Sequence, residues 1–354
     1  MAITRLGPNQ DITAAKIAGQ INFKNLIING DMSIDQRNSG SSITPTNGQY
    51  GVDRWQNAVN VSSKYSIQQV SDAPTGFVYS NKVTSLSAYS IGAGELAGLR
   101  HYVEGYNITK LDWGTSDAQT VTLSFWVKSS LTGDFGVTVG NDNGRTYGAL
   151  YNISSADTWE KKSVTIEGDT SGTWLTTNGK GISLVFALST GSSFLATADS
   201  WNASTSYGVT GQTQILATNS ATWQVTGVQL EADTSASDFE FLPYDVNLQR
   251  CERYYQLLQG FEGSMRTSVG FGCTTMFRTQ MRSAPSVTQS GALQITDGNA
   301  DFTQSSTSVS IPASRVTTLG VQLYFVNFTG LTQFRPAGQN TNVNDSKVGA
   351  DAEL

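Results

Sequence analysis

The chain carries one histidine, His101. That removes metal sites built on several imidazoles and acid–base machinery needing two. A Ser-His-Asp triad would have to use His101, and no Gly-x-Ser-x-Gly elbow accompanies it. The residues that follow, Tyr102-Val103-Glu104, read as strand, so His101 is expected to be structural. Paired carboxylates could hydrolyse a glycosidic bond. Asp72, Asp142 and Asp157 fall instead in turn-like stretches, and nothing in the spacing argues for a pair. Asn141-Asp142-Asn143-Gly144 is rich in oxygen but lacks the downstream Glu of an EF-hand loop, so it reads as a plain turn. What remains is aromatic: seven Trp and thirteen Tyr. An aromatic face can stack on the apolar face of a pyranose. Trp201 and Tyr207 lie in a polar, loop-like stretch, Ser200 to Tyr207, and are the glycan-binding candidates. Trp55, Trp126 and Trp223 stand in strand contexts and read as core. A loop of this kind also folds back in large sandwiches, which would make Trp201 a packing residue.

The elements that must position these residues are strands. Charged residues are 14% of the 354, with abundant Gly, and hydrophobic residues are 38%. This mix suits short strands joined by turns and is enough for a buried core. Val121, Leu123 and Phe125 alternate with Thr122, Ser124 and Trp126. Thr222–Leu230 alternates with one slip at Gly227, which suggests a bulge. Turn signals recur between such runs, and a two-sheet antiparallel sandwich follows over residues 24–244. Two edges frame it: Asn25-Leu26-Ile27-Ile28-Asn29-Gly30-Asp31 opens, and Gly227-Val228-Gln229-Leu230-Glu231 with Phe239-Glu240-Phe241 closes. In the opening edge, Asn29 and Gly30 are expected to tolerate positive φ. Residues 1–23 read as a docking arm, or equally as a frayed terminus, with a helix over Ile12–Ala18 capped by Asp11. Residues 245–260 read as a helix with Asp245 as N-cap. There Leu248, Cys251, Tyr255 and Leu258 form a narrow apolar stripe, either an oligomer seam or a face laid on the sandwich. Residues 261–354 return to a smaller β domain. Cys251 and Cys273 are expected to be buried thiols rather than a disulfide.

The net charge is −6 and no Lys/Arg cluster appears, so nucleic acid is not an expected partner. No apolar run is long enough to span a membrane, and Met1-Ala2-Ile3-Thr4-Arg5 lacks a signal core.

The two edges, Asp53-Arg54-Trp55, Glu104-Gly105-Tyr106, Arg250-Cys251-Glu252-Arg253-Tyr254-Tyr255 and Asp351-Ala352-Glu353-Leu354 occur in an order that resembles a family of bacteriophage structural proteins of tail-fibre or head-decoration type. Their central domain is similar to jelly-roll carbohydrate-binding modules. The resemblance implies a non-enzymatic virion protein made in the host cytoplasm. It would be a homotrimeric tail fibre or adhesin that docks other virion proteins through its arm and contacts host-surface glycan. A capsid decoration or cement protein is the alternative, and a polysaccharide depolymerase the third reading. No cofactor is expected. The resembled modules hold a structural calcium near the two edges, which makes Asp31 and Glu231 candidates, although Gln229 replaces one of the usual acidic pair.

Overall fold

The structure, a computed structural model, describes residues 23–296, 303–306, 308–310, 315–339 and 347–354. Of the expected arm only Phe23 is among them; the rest, with its helix over Ile12–Ala18, lies outside the described residues. The chain is all-β, a jelly-roll sandwich followed by a short helix and a smaller β part. The sandwich strands are β1 Trp55–Val59, β2 Tyr65–Val70, β3 Ser80–Ser85, β4 Leu96–Glu104, β5 Val121–Ser129, β6 Gly133–Gly140 and β7 Thr146–Ile153. They continue as β8 Glu160–Ile166, β9 Lys180–Thr190, β10 Leu195–Ala196, β11 Ser200–Asn202, β12 Gly208–Val209 and β13 Thr222–Glu231. One sheet runs β1-β4-β9-β6-β7-β11 and the other β2-β3-β13-β5-β8, both antiparallel throughout. The chain crosses repeatedly between the sheets, as jelly rolls do.

The alternation read in β5 holds, with Val121, Leu123, Phe125 and Val127 all fully buried in the core. β9 is buried along nearly its whole length because both its faces are covered. Ile182, Leu184, Phe186 and Leu188 face the core, while Ser183, Val185, Ala187 and Ser189 face outward. A strand covered on two sides reads as a continuous apolar run. The outer cover comes from the segment that contains β10 and β12, a short parallel pair. It fits because Gly148 has no side chain: a Cβ there would stand 2.9 Å from that of Ala196.

The two edges meet, and the opening one, expected as a strand, forms bends and a turn instead. Leu26 N donates to Leu230 O (2.9 Å) and Val228 N to Gly30 O (2.9 Å), while Glu240 accepts from Lys24 N and Asn25 N. The positive φ falls on Asn29 (58°) and Met32 (59°), not on Gly30. Gly30 serves close approach instead, since a Cβ there would lie 2.1 Å from Val228 O. The bulge expected in β13 lies between Thr226 and Gln229, with Gly227 at φ 61°.

The helix differs from expectation. α1 spans Tyr244–Glu252, starts after Pro243 with no side-chain cap, and places Asp245 in its first turn. Tyr255–Leu258, expected to be its last turn, is a strand, β14, paired with Lys347–Asp351. Four ladder partners and a burial site for Leu258 outweigh one more turn of an uncapped helix. The aromatic pair Tyr254-Tyr255 also favours strand. The seam Leu248, Cys251, Tyr255 and Leu258 is therefore not one helical stripe. Cys251 is fully buried with Ile28, Ile34 and Tyr254, Leu248 packs on that group, Leu258 enters the core of the C-terminal part, and Tyr255 lies under Arg37.

The C-terminal part holds β15 Glu262–Thr267, β16 Gly270–Met276, β17 Ser286–Ser290, β18 Leu293–Thr296, β19 Thr303–Ser306, β20 Ser308–Ser310, β21 Gly320–Val326, β22 Pro336–Gln339 and β23 Lys347–Asp351. These form a seven-stranded sheet, β19-β18-β22-β15-β16-β21-β20, and a three-stranded one, β14-β23-β17. Its core includes Met265, Phe271, Leu323, Phe325 and Val348. Cys273 is buried there, far in packing terms from Cys251, and both thiols are free.

A buried ionic layer joins the two parts. Arg54 pairs with Glu353, donates to Tyr102 O (2.6 Å) and lies 3.5 Å over the Tyr254 ring. Arg37 bridges Asp53, Asp351 and Glu353. Glu104 accepts from Arg253 (2.6 and 2.9 Å) and from Tyr254 Oη (2.7 Å). Burial pushes the Asp53 carboxyl up to about 6 against the pull of Arg37 and Gln36. A carboxyl raised in the fold stabilises fully below its ordinary 3.8 and loses that contribution as pH rises through about 6. The rise is worth on the order of 3 kcal/mol. The melting-temperature difference between Asp53→Asn and the parent chain should accordingly shift in favour of the variant from pH 4 to pH 7. The opposite slope would mean that Arg37 holds Asp53 below the carboxylate range.

Candidate functional site

The polar residues on the outer face of the six-stranded sheet converge at one end. Strand register fixes which of them share that face. Tyr102 stands opposite Ser183 and Ser183 opposite Gly140; Arg100 stands opposite Gln56 and Val185. Directly opposed residues lie side by side. Tyr102 Oη donates to Asp142 Oδ2 (2.6 Å) and accepts from Lys180 Nζ (3.0 Å). Lys180 and Arg100 both lie over the Tyr102 ring, at 4.1 and 4.4 Å. Arg100 donates to Gln56 Oε1 and stands 3.9 Å from Asp142. Asp142 is carried on the β6–β7 turn. There Asn141 Oδ1 accepts from the backbone of Asn143 (2.8 Å) and Arg145 (3.1 Å), so the expected plain turn is an Asx turn.

Tyr207 reaches the same corner. Its ring packs edge-on to Phe194. Burial raises its hydroxyl pKa, Asp142 raises it further and Arg100 opposes, so the phenol lies in the field of both. Burial lowers the pKa of Lys180, with Asp142 opposing. Among the described residues the Tyr207 hydroxyl has no hydrogen-bond partner. The Ser183 hydroxyl, on a residue 3% exposed, has none either. The corner thus combines two unpartnered hydroxyls with a carboxylate, a guanidinium, an ammonium and an amide. β10 and β12 cover the outer face over β6, β7 and β9.

Trp201, the other glycan candidate, is half-buried and set in an aromatic cluster. Its ring meets Trp113, Trp174 and Tyr147 edge-on at 5.5, 5.6 and 5.5 Å, and its Nε1 donates to Glu167 O (2.9 Å). Arg145, held by both oxygens of Asp169 (2.8 and 2.6 Å), lies beside it. Trp201 and Tyr207 therefore belong to different corners, and Trp201 takes the fold-back arrangement.

The calcium candidates do not converge. Asp31 accepts from Ser33 Oγ and Asn247 Nδ2, while Glu231 accepts from Ser237 and Gln229 and faces Lys24. A cavity of about 10 Å³ near the edges is lined by Asp31, Asn29, Asn247 and Glu240, but also by the cationic Arg250 and not by Glu231. Among the described residues no three His, Cys, Asp or Glu side chains form a metal-binding group. His101 is fully buried against Trp55, next to the Ile28 backbone; burial, with Arg54, holds its pKa well below the usual range. It is neutral and structural.

No protein-family model matches this chain, and no curated protein matches it. Among solved structures it is similar to the enzymatically active domain of tailspike protein 4 of bacteriophage CBA120 (13% identity, 59% of this chain, 21% of that chain, TM-score 0.32). The chain thus spans about a fifth of that tailspike domain. It is also similar to a putative sugar binding protein from Bacteroides thetaiotaomicron (15% identity, 59% of this chain, 100% of that one, TM-score 0.36). A third is the family 11 carbohydrate-binding module from Clostridium thermocellum in complex with a mixed-linked tetrasaccharide (13%, 55% and 97%, TM-score 0.29).

Sequence reasoning did not single out Arg100, Tyr102, Ser183 and Lys180, which share this corner. Strand register unites them, and register joins positions remote in the chain. One signal was present: Arg100, Tyr102 and Glu104 are polar or amphipathic at every second position of a strand whose other side, His101 apart, reads apolar.

Proposed function

We propose that this chain is a non-enzymatic, glycan-binding surface protein of a phage particle, with its saccharide site at the Tyr207–Ser183–Asp142–Arg100 corner. The observation that carries the reading is the pair of unpartnered hydroxyls, on Tyr207 and Ser183, beside charged groups already held in place. The half-buried Tyr207 phenol is open to a partner from outside, whereas the Ser183 hydroxyl is enclosed, a buried polar group of the kind that is normally paired. A sugar supplies donors and acceptors in one ring, and the Tyr207 phenol and Asp142 carboxylate are matching groups. The family resemblance supports the virion setting. The trimer expected on that resemblance has lost its helical seam, since the apolar side of α1 is used within the chain. A solution mass decides it, and a monomer at micromolar concentration would exclude trimeric assembly of the free protein.

A glycan making few contacts should bind with a Kd of about 10⁻⁴ to 10⁻³ M. Tyr207→Phe removes one hydrogen bond, about 1 kcal/mol, and should weaken binding about fivefold with the melting temperature unchanged. Titration calorimetry with the saccharide that an array of bacterial surface glycans selects checks this. Unchanged affinity would remove Tyr207 from the site. Release of reducing ends would make the chain an enzyme. Particles lacking the protein that adsorb normally but lose capsid stability would favour the decoration role.

A further inference from the structure

A groove of about 360 Å³ lies on the seven-stranded sheet of the C-terminal part, lined by Arg266, Gly272, Arg315, Gln322, Leu323 and Tyr324. Register explains its floor. Gly272 stands opposite Tyr324, and Gln322 follows two positions earlier on the same face of β21. Gly270 and Gly272 leave room for neighbours: a Cβ would stand 2.0 Å from Tyr324 Oη at the first and 2.9 Å from Arg266 Cγ at the second. The Tyr324 ring and the Arg266 stem therefore lie across the sheet rather than standing off it. Arg266 falls where the β15–β16 register shifts, between Met265 and Thr267. A bulge there re-aims a side chain, and bulges are over-represented beside functional sites.

The charge is unusual for this chain, whose net charge is −6. Arg315 donates to Gln322 Oε1 and Tyr324 Oη is bonded to Thr267 Oγ1 (3.1 Å). Among the described residues neither Arg266 nor Arg315 has a carboxylate partner, and the Arg266 guanidinium has no hydrogen-bond acceptor. Both are exposed. Arg54, Arg145 and Arg253 are each paired with a carboxylate, while Arg250 and Arg282 donate to backbone oxygens. Two guanidinium forks without counter-charge among the described residues, beside an aromatic ring and an amide, match an oxyanion carried on a sugar. The forks take the carboxylate or phosphate in bidentate fashion and the ring takes the pyranose face.

The geometry points to a second ligand site in this groove, for an acidic saccharide bearing a carboxylate or phosphate. It stands independently of the Tyr207 corner. The test titrates the full chain with glucuronic acid, glucose 6-phosphate, glucose and inorganic phosphate, each against the Arg266→Gln and Arg315→Gln variants. Both substitutions lie on the surface and leave the cores intact. The expected result is saturable millimolar binding of at least one charged sugar, weakened at least tenfold by either variant and by added salt, with glucose not binding in the groove. Preference for glucuronic acid assigns the anion as carboxylate; preference for glucose 6-phosphate assigns phosphate. Tyr207→Phe should leave this binding unchanged, so that either site can fail without the other. Inorganic phosphate binding as tightly as both sugars would overturn the saccharide assignment. Charged sugars binding the variants as well as the parent, or not binding at all, would overturn the site. A change of solution mass in the arginine variants would make the groove a contact between copies and overturn it equally.

Discussion

Replacing Arg54 with alanine should destabilise the chain by about 3–5 kcal/mol, the cost of breaking a buried ion pair from one side. Its side chain is 1% exposed and that of its partner Glu353 6% exposed. Removal strands the Glu353 carboxylate, leaves Tyr102 O without its donor and uncovers the Tyr254 ring. Arg54 also sits at φ 71°, a conformation a side chain adopts only when its surroundings dictate it. Arg37 stands 3.3 Å from Glu353 and offsets part of the loss, which places the result toward the lower end of the range. Arg54→Met combined with Glu353→Gln removes both charges at similar volume and should recover most of the stability. Urea unfolding of the two variants and the parent measures this. A loss below about 1 kcal/mol for Arg54→Ala would mean that the layer between the two parts is not a structural joint.

Trp55→Ala should cost about 3–5 kcal/mol, as large-to-small changes of buried aromatics do. Trp55 is fully buried, meets His101 edge-on at 5.1 Å and Phe186 at 6.1 Å, and donates from Nε1 to Asn29 O (3.0 Å). That bond ties the core to the opening edge at its left-handed residue. Trp55→Phe keeps most of the packing and loses the bond, so it separates the two effects at about 1 kcal/mol for the second. Denaturant midpoints decide, and an alanine variant within about 1.5 kcal/mol of the parent would contradict this burial.

The sandwich was legible because its signals are local. Alternation in β5, the slip at Gly227 and the aromatic strand contexts of Trp55 and Trp223 each follow from two-residue periodicity, whereas Trp126, also read as core, lies half-buried outside the core. The helix was half legible. Its start and first two turns follow the apolar spacing of Leu248 and Cys251, but Tyr255–Leu258 takes its conformation from β23, nearly a hundred residues on in the chain. Spacing alone cannot anticipate a partner that remote. The ionic layer shows the same limit in another form. Asp53-Arg54, Glu104 and Asp351-Ala352-Glu353-Leu354 stood out as marks in the sequence, yet only the fold shows that they meet each other. Tyr207 was singled out through its polar loop. Ser183 and Tyr102 were hidden because a seryl or tyrosyl residue in a strand is ordinary until the groups around it are known.

The most direct measurement is an NMR titration of the isotope-labelled chain with the array-selected saccharide, followed residue by residue. The expected result is saturable shifts concentrated at Arg100, Tyr102, Asp142, Ser183 and Tyr207, with the Trp201 cluster and the helix unmoved. Shifts confined to Trp201, Trp113 and Trp174, or none at the Tyr207 corner at saturating sugar, would contradict the assignment of the site.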